Sequence, residues 1–309
     1  MSEHVIRIAT RSSKLALWQA EHVKSLIETT SPEFTVEIVH VKTVGDANQT
    51  DALREFGGTG VFTREVQHSV LQQETDIAVH SLKDLPTLES SGLKLAGVPD
   101  RAPHFDALLL PGGQTIESLD EIAEGARIGT GSPRRQTQLL NVRPDLQMLE
   151  IRGNVDTRIR KLDDGQFDAI ILAEAGLRRL GLADRISMIL APPLVLPAVG
   201  QGAIGIECRE DDERVQQVLA KLTNTDVLSA VTAERSLLAA LRAGCHAPLG
   251  ALTMLDGDNL GLQGVLLSLD GTTRLEATSQ GHRNEAADLG IAVAEQLLSQ
   301  GGDKLVEAF

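Results

Sequence analysis

Between residues 5 and 173, short apolar runs alternate with stretches of helical spacing, and this alternation leaves few folds open. Residues 5–10 read as a strand, 15–27 as a helix, 35–41 as an alternating strand, 61–73 as a helix and 76–80 as a short buried strand. The scheme then repeats: a strand at 107–110, a helix near 118–123, a strand at 127–129 and a helix from Pro133. A strand at 147–151, a helix at 155–162 and a strand at 168–173 follow. Strands interleaved with helices predict parallel α/β sheets, whose ligands bind beyond the carboxyl ends of the strands.

Pro99, Pro103, Pro192, Pro193 and Pro197 bracket the second unit, and the strand-like run 203–208 follows it. That run is placed to return to the first sheet, so the chain crosses twice between two α/β domains with a hinge and a cleft. The last third changes character. A long helix over 226–243 stops at Gly244, then three alternating segments (251–255, 260–268, 273–280) are punctuated by Asp-Gly and Gly-rich turns, and a helix covers 285–299. A small α+β domain with a mostly antiparallel sheet is expected. The resulting division is 1–99 plus 203–221, 104–197 and 222–309, with hinges near 99–104 and 197–203.

Charge narrows the function. The 309 residues carry a formal −14, against non-specific binding to nucleic acid. Six Phe, Trp18 and no Tyr leave little platform for base stacking. No run of 18 apolar residues and no basic-then-apolar leader occurs, so the expectation is a cytoplasmic chain without a membrane partner. Two cysteines 37 positions apart make neither a disulfide framework nor a zinc site, and no metal is expected. Against the acidic whole, residues 127–185 are net +3, with ten of eleven basic residues arginine. A solvated face needs no such preference for Arg; an anion site does.

The polar residues fall where a ligand would sit. Arg11, Ser12 and Ser13 follow the first strand, and Lys83 and Asp84 follow 76–80. Thr130, Gly131, Ser132, Arg134 and Arg135 follow 127–129. Arg152 and Arg158 follow 147–151, and Arg178 and Arg179 follow 168–173. In the third group a strand enters a glycine turn, with Ser132 at the N-cap and Pro133 at the first helical position. Its open N–H groups and two arginines suit an anion, and carboxylates match so many planar donors. Asp84 is the one acid in the set: either an ion-pair partner that orients Lys83, or a general acid/base or stabiliser of a substrate cation. Cys208 lies in an apolar strand as a core thiol. Cys245, on a loop beside His246, is either a nucleophile or attachment point, or an unreactive thiol.

Several stretches together resemble the porphobilinogen deaminase family over nearly the full length. They are Arg7-Ile8-Ala9-Thr10-Arg11 with Leu15-Ala16-Leu17-Trp18-Gln19-Ala20, His80-Ser81-Leu82-Lys83-Asp84-Leu85-Pro86, and Gly129-Thr130-Gly131-Ser132-Pro133-Arg134-Arg135-Gln136. To these are added Arg152-Gly153-Asn154-Val155, Leu196-Pro197-Ala198-Val199-Gly200-Gln201-Gly202-Ala203 and the Gly244-Cys245 loop.

The resemblance implies two domains like the lobes of type II periplasmic binding proteins plus the small α+β domain. It implies a dipyrromethane cofactor held by a thioether to Cys245, on which four porphobilinogen molecules condense head-to-tail with loss of ammonia, until hydrolysis releases linear hydroxymethylbilane for haem and other tetrapyrroles. Such an enzyme is a transferase (hydroxymethylbilane synthase), expected as a cytoplasmic monomer that hands its product to uroporphyrinogen-III synthase. Carried over by position, Ser13, Lys83, Thr130, Ser132, Arg134, Arg135, Arg158 and Cys245 would hold the cofactor. Arg11, Arg152, Arg179, Gln201 and Phe62 would serve substrate and elongation, and Asp84 would be catalytic. Gly131 stands where many members have Ser, and Val44, Glu55 and Thr59 stand where many carry basic residues in a flap over 43–60. The rival reading is a non-enzymatic, two-lobed polycarboxylate-binding protein.

Overall fold

A computed structural model describes residues 4–41, 63–88, 90–244 and 247–307. They form two compact units: Met1–Arg101 with Ala203–Leu228, and Ala102–Gly202 with Ser229–Phe309.

The first unit is built on a five-stranded sheet in the order β2-β1-β3-β10-β4: β1 Val5–Thr10, β2 Thr35–His40, β3 Ile77–Ser81, β4 Leu93–Gly97 and β10 Ile204–Arg209. β1 runs parallel to β2 and β3, while β10 enters antiparallel between β3 and β4. Helix α1 (Lys14–Thr30) buries Ala20, Val23 and Ile27 at helical spacing against this sheet, and Ser13 caps it by accepting from Ala16 N at 3.3 Å. Helix α2 (Arg64–Leu71) covers the other face. There Gln67 donates to both Glu207 oxygens at 3.1 and 2.9 Å, and Glu207 lies 3.0 Å from His80, all three buried.

The second unit repeats the design. Its five-stranded sheet has the order β7-β6-β8-β5-β9: β5 Asp106–Leu109, β6 Arg127–Gly129, β7 Gln147–Leu149, β8 Ala169–Ala173 and β9 Met188–Leu190. β6 runs parallel to β7 and β8, and β5 is antiparallel to both its neighbours. Helices α3 (Pro133–Val142), α4 (Val155–Asp163) and α5 (Glu174–Arg179) belong to it. The sheets are therefore mixed rather than wholly parallel, because in each the fourth strand belongs to the segment by which the chain enters or leaves the second unit.

The same unit holds a three-stranded antiparallel sheet, β11 Leu249–Asp256, β12 Asn259–Leu267 and β13 Arg274–His282. It packs on helices α7 (Thr225–Ala240) and α8 (Ala286–Leu297) through Leu237, Leu262, Leu266, Val293 and Leu297. Helix α6 (Glu213–Leu222) completes the first unit's core.

The fold class, α/β with a small α+β part, is the expected one. Three local expectations change. The helix near 118–123 is a single 3-10 turn, Leu119–Glu121, closed by a Ser118–Glu121 capping box. α7 ends at Ala240 rather than Gly244, because Arg242 takes the left-handed turn at φ +52. Strands β4 and β9 were not anticipated.

One clamp recurs in both five-stranded sheets. Arg7 on β1 donates to Asp76 from its backbone N at 2.7 Å and from Nε at 3.1 Å, and its Nη2 reaches Gln73 O at 3.0 Å. Arg127 on β6 makes the same three contacts with Asp168 and Gly165 O, at 2.7, 3.1 and 3.0 Å. Gln73 and Gly165 also share a left-handed backbone, φ +60 and +75.

The clamps differ in burial: the Asp76 side chain is 7% exposed and that of Asp168 is 47%. We expect Asp76→Asn to cost about 3 kcal/mol and Asp168→Asn under about 1 kcal/mol in urea unfolding followed by circular dichroism. Equal losses would contradict this ranking. Arg127 holds the Asp168 carboxyl below its usual range, so that contribution is complete above about pH 4 and fades as the pH falls further.

Candidate functional site

In the first unit the predicted residues gather at the carboxyl ends of two paired strands. Arg11 and Ser13 follow β1; Lys83 and Asp84 sit on a 3-10 turn, Leu82–Asp84, directly after β3. That turn is pinned from both sides: Leu82 N donates to Ala203 O at 3.0 Å and Leu85 N to Leu82 O at 3.1 Å, with Leu82 and Leu85 buried. Gln19 of α1 donates to Ser81 Oγ at 2.8 Å. Asp84 is thus an exposed carboxylate on a rigid turn.

In the second unit the corresponding edge carries more positive charge. Thr130 directly follows β6, and its Oγ1 accepts from Ser132 N at 3.2 Å. Ser132 is the N-cap of α3 with Pro133 in the first turn, as expected, but its hydroxyl makes no capping bond. After β7, Arg152 pairs with Glu150, and Arg158 Nε donates to Gly153 O at 2.7 Å. Gly153 has φ +107, and a Cβ there would stand 2.7 Å from Thr157, so glycine is required. After β8, Arg179 donates to Gly202 O at 2.8 Å.

Asp106, which no sequence motif marked, organises this edge. It is fully buried at the start of β5. Its Oδ2 accepts from Arg134 Nη1 at 2.7 Å; its Oδ1 accepts from Arg135 Nε at 2.9 Å and from Gln201 Nε2 at 3.1 Å. Arg134 Nη1 also reaches Leu196 O at 2.6 Å, and Arg135 Nη1 reaches Ile171 O at 3.0 Å. Gln201 donates again to His104 O at 2.8 Å. Glu234, likewise buried and likewise missed, accepts from Gly200 N at 2.8 Å.

Two buried guanidiniums share one carboxylate. Moreover, Arg134 Nε is buried without a hydrogen-bond partner among the described residues. A buried donor left open costs on the order of 1–3 kcal/mol, and an anion would satisfy it. The donor set therefore fits a ligand bearing carboxylates.

Two predicted residues, Phe62 and Cys245, lie outside the described residues, as does the flap over 43–60. Cys208 is placed: it is fully buried on β10, and burial pushes its thiol up to about 11. Such a thiol is protonated at neutral pH and closed to attack.

Residues 6–217 match the family described as "Porphobilinogen deaminase, dipyromethane cofactor binding domain", and residues 228–299 match its C-terminal domain. The chain belongs to the porphobilinogen deaminase family. The porphobilinogen deaminase of Geobacter metallireducens is 47% identical over 306 residues, covering 99% of this chain and 95% of that one. That of Desulforamulus reducens is 45% identical over 305 residues, covering 99% and 98%. A more distant likeness, at 15% identity and TM-score 0.43, is to the methionine binding protein MetQ, covering 75% of this chain and 96% of that one.

Family membership calls for a cofactor attachment point, and the structure removes one of the two thiols from consideration. Folded, cofactor-free protein treated with iodoacetamide at pH 7 is expected to leave Cys208 unmodified until denaturant is added. Alkylation of Cys208 in the folded chain would contradict its burial.

Proposed function

We propose that this chain acts as a hydroxymethylbilane synthase, joining four porphobilinogen molecules head-to-tail on a dipyrromethane primer bound through Cys245. The observation that carries the site assignment is the arginine pair on Asp106 with its open, buried Arg134 Nε. Each pyrrole of the substrate and primer bears an acetate and a propionate, so the growing chain is a polycarboxylate that such donors recognise. We further propose three working domains, 1–99 with 203–221, 104–197 and 222–309, and a cytoplasmic location. Among the described residues no helix is long and apolar enough to cross a membrane.

The primer, when bound, supplies the terminal pyrrole carbon that attacks each incoming unit. The chain's own residues supply the rest. Arg134, Arg135, Arg158 and Lys83 hold primer carboxylates, with Thr130, Ser132 and Ser13 adding hydroxyls at two helix starts. Arg11, Arg152 and Arg179 receive the incoming carboxylates, and Gln201 holds the adjoining segment. Arg152 must exchange Glu150 for a substrate carboxylate; as an exposed pair it is worth under about 1 kcal/mol and gives way readily. Asp84 is the carboxylate of this set fixed on a rigid turn. It faces the cation left on the substrate when ammonia departs and accepts from the pyrrole N–H groups.

Asp84→Asn is expected to keep the primer, seen as bound mass, yet lose about 10²–10³ in kcat. A loss below about threefold would reduce Asp84 to an orienting partner of Lys83. Arg152→Leu is expected to stall elongation, visible as enzyme carrying one to three extra pyrroles in intact mass spectra. A wild-type distribution of these species would reject that role.

A further inference from the structure

We propose that Asp106 is a positioning residue that presents one edge of Arg134 to a pyrrole carboxylate, a role that rests on the activity proposed above. A guanidinium offers a carboxylate two parallel donors along its Nε–Nη2 edge. In Arg134 the other amino group, Nη1, is fully engaged, by Asp106 Oδ2 at 2.7 Å and by Leu196 O at 2.6 Å. Those two contacts fix the plane of the group inside the protein, where it is 4% exposed. The Nε–Nη2 edge keeps no partner among the described residues, and its Nε is buried.

Asp106 also ties that edge to the returning chain. Its Oδ1 accepts from Gln201 at 3.1 Å, and Gln201 donates to His104 O at 2.8 Å. One carboxylate thus joins Arg134, Arg135 and both segments flanking the second sheet. It sets where Arg134 lies without touching the ligand itself.

The experiment is a double-mutant cycle on cofactor-free protein incubated with porphobilinogen. It reads the rate at which a two-pyrrole mass appears on the chain, then KM of the loaded enzyme. Asp106→Asn and Arg134→Gln are each expected to slow uptake and raise KM about tenfold, the worth of a charge-assisted contact. The double variant is expected within about threefold of Arg134→Gln alone, since the two act through one group. A double variant whose losses multiply, or an Asp106→Asn variant within about twofold of wild type, overturns the proposal.

If Asp106→Asn fails to fold, Asp106→Glu keeps the charge and displaces the carboxylate by one methylene. It should raise KM about fivefold or more in a folded protein, the worth of one ordinary hydrogen bond; an unchanged KM overturns the proposal. Wild-type protein that takes up no pyrrole at all overturns the activity reading, and this one with it. Wild-type uptake matched by Asp106→Glu overturns this one only.

Discussion

The carboxylate of Asp106 is the constraint on which the second unit's ligand edge depends. It is fully buried and shared by Arg134, Arg135 and Gln201. Burying a lone carboxylate is prohibitive, and burying two lone guanidiniums is worse. Each makes the other tolerable, and two guanidiniums on one carboxylate leave a net positive charge that a bound anion would offset. In the proposed function the packing requirement and the binding requirement fall on the same atoms. Under the proposed function, arginines with only 4% and 6% exposure would then serve a ligand as well as the packing.

Around this centre the molecule uses one plan twice. Arg7-Ile8-Ala9-Thr10 and Arg127-Ile128-Gly129-Thr130 run along the second-position strands of the two five-stranded sheets to their carboxyl ends, and both arginines clamp an aspartate one strand away. Each strand then passes to a serine N-cap, Ser13 or Ser132. The halves diverge at that cap. Ser13 spends its hydroxyl on Ala16 N, whereas Ser132 keeps its hydroxyl out of the helix and is followed by Arg134 and Arg135. The first unit has the rigid Lys83–Asp84 turn after β3.

Most of the fold was legible because its strands are short apolar runs between helices of clear period. β4 and β9 were not, since Leu93–Gly97 and Met188–Leu190 are brief segments whose pairing partners are distant in sequence. The places of the basic side chains after strands were legible in the sequence, and their roles are those proposed above. Asp106 was not, because an acid before Ala107-Leu108-Leu109 looks like a strand's solvated start. The available signal was the unbroken apolar run Ala107-Leu108-Leu109-Leu110 that follows it, the mark of a strand covered on both faces, at whose start a charge needs internal partners. The Arg7 and Arg127 clamps could have been found from the repeated Arg-Ile-x-Thr, but their aspartates lie 69 and 41 residues away. Arg152 was read as a ligand donor without Glu150 beside it, because the two meet only when β7 ends and the chain turns.

The central claim is that the protein carries a pyrrole chain attached at one cysteine. Intact mass followed by peptide mapping, on chain expressed in cells that make haem, tests it most directly. The account predicts an excess of two deaminated porphobilinogen units, all of it on the peptide that carries Cys245. Bare polypeptide that gains no pyrrole and releases no ammonia on incubation with porphobilinogen would contradict it, leaving a two-lobed polycarboxylate-binding protein in its place.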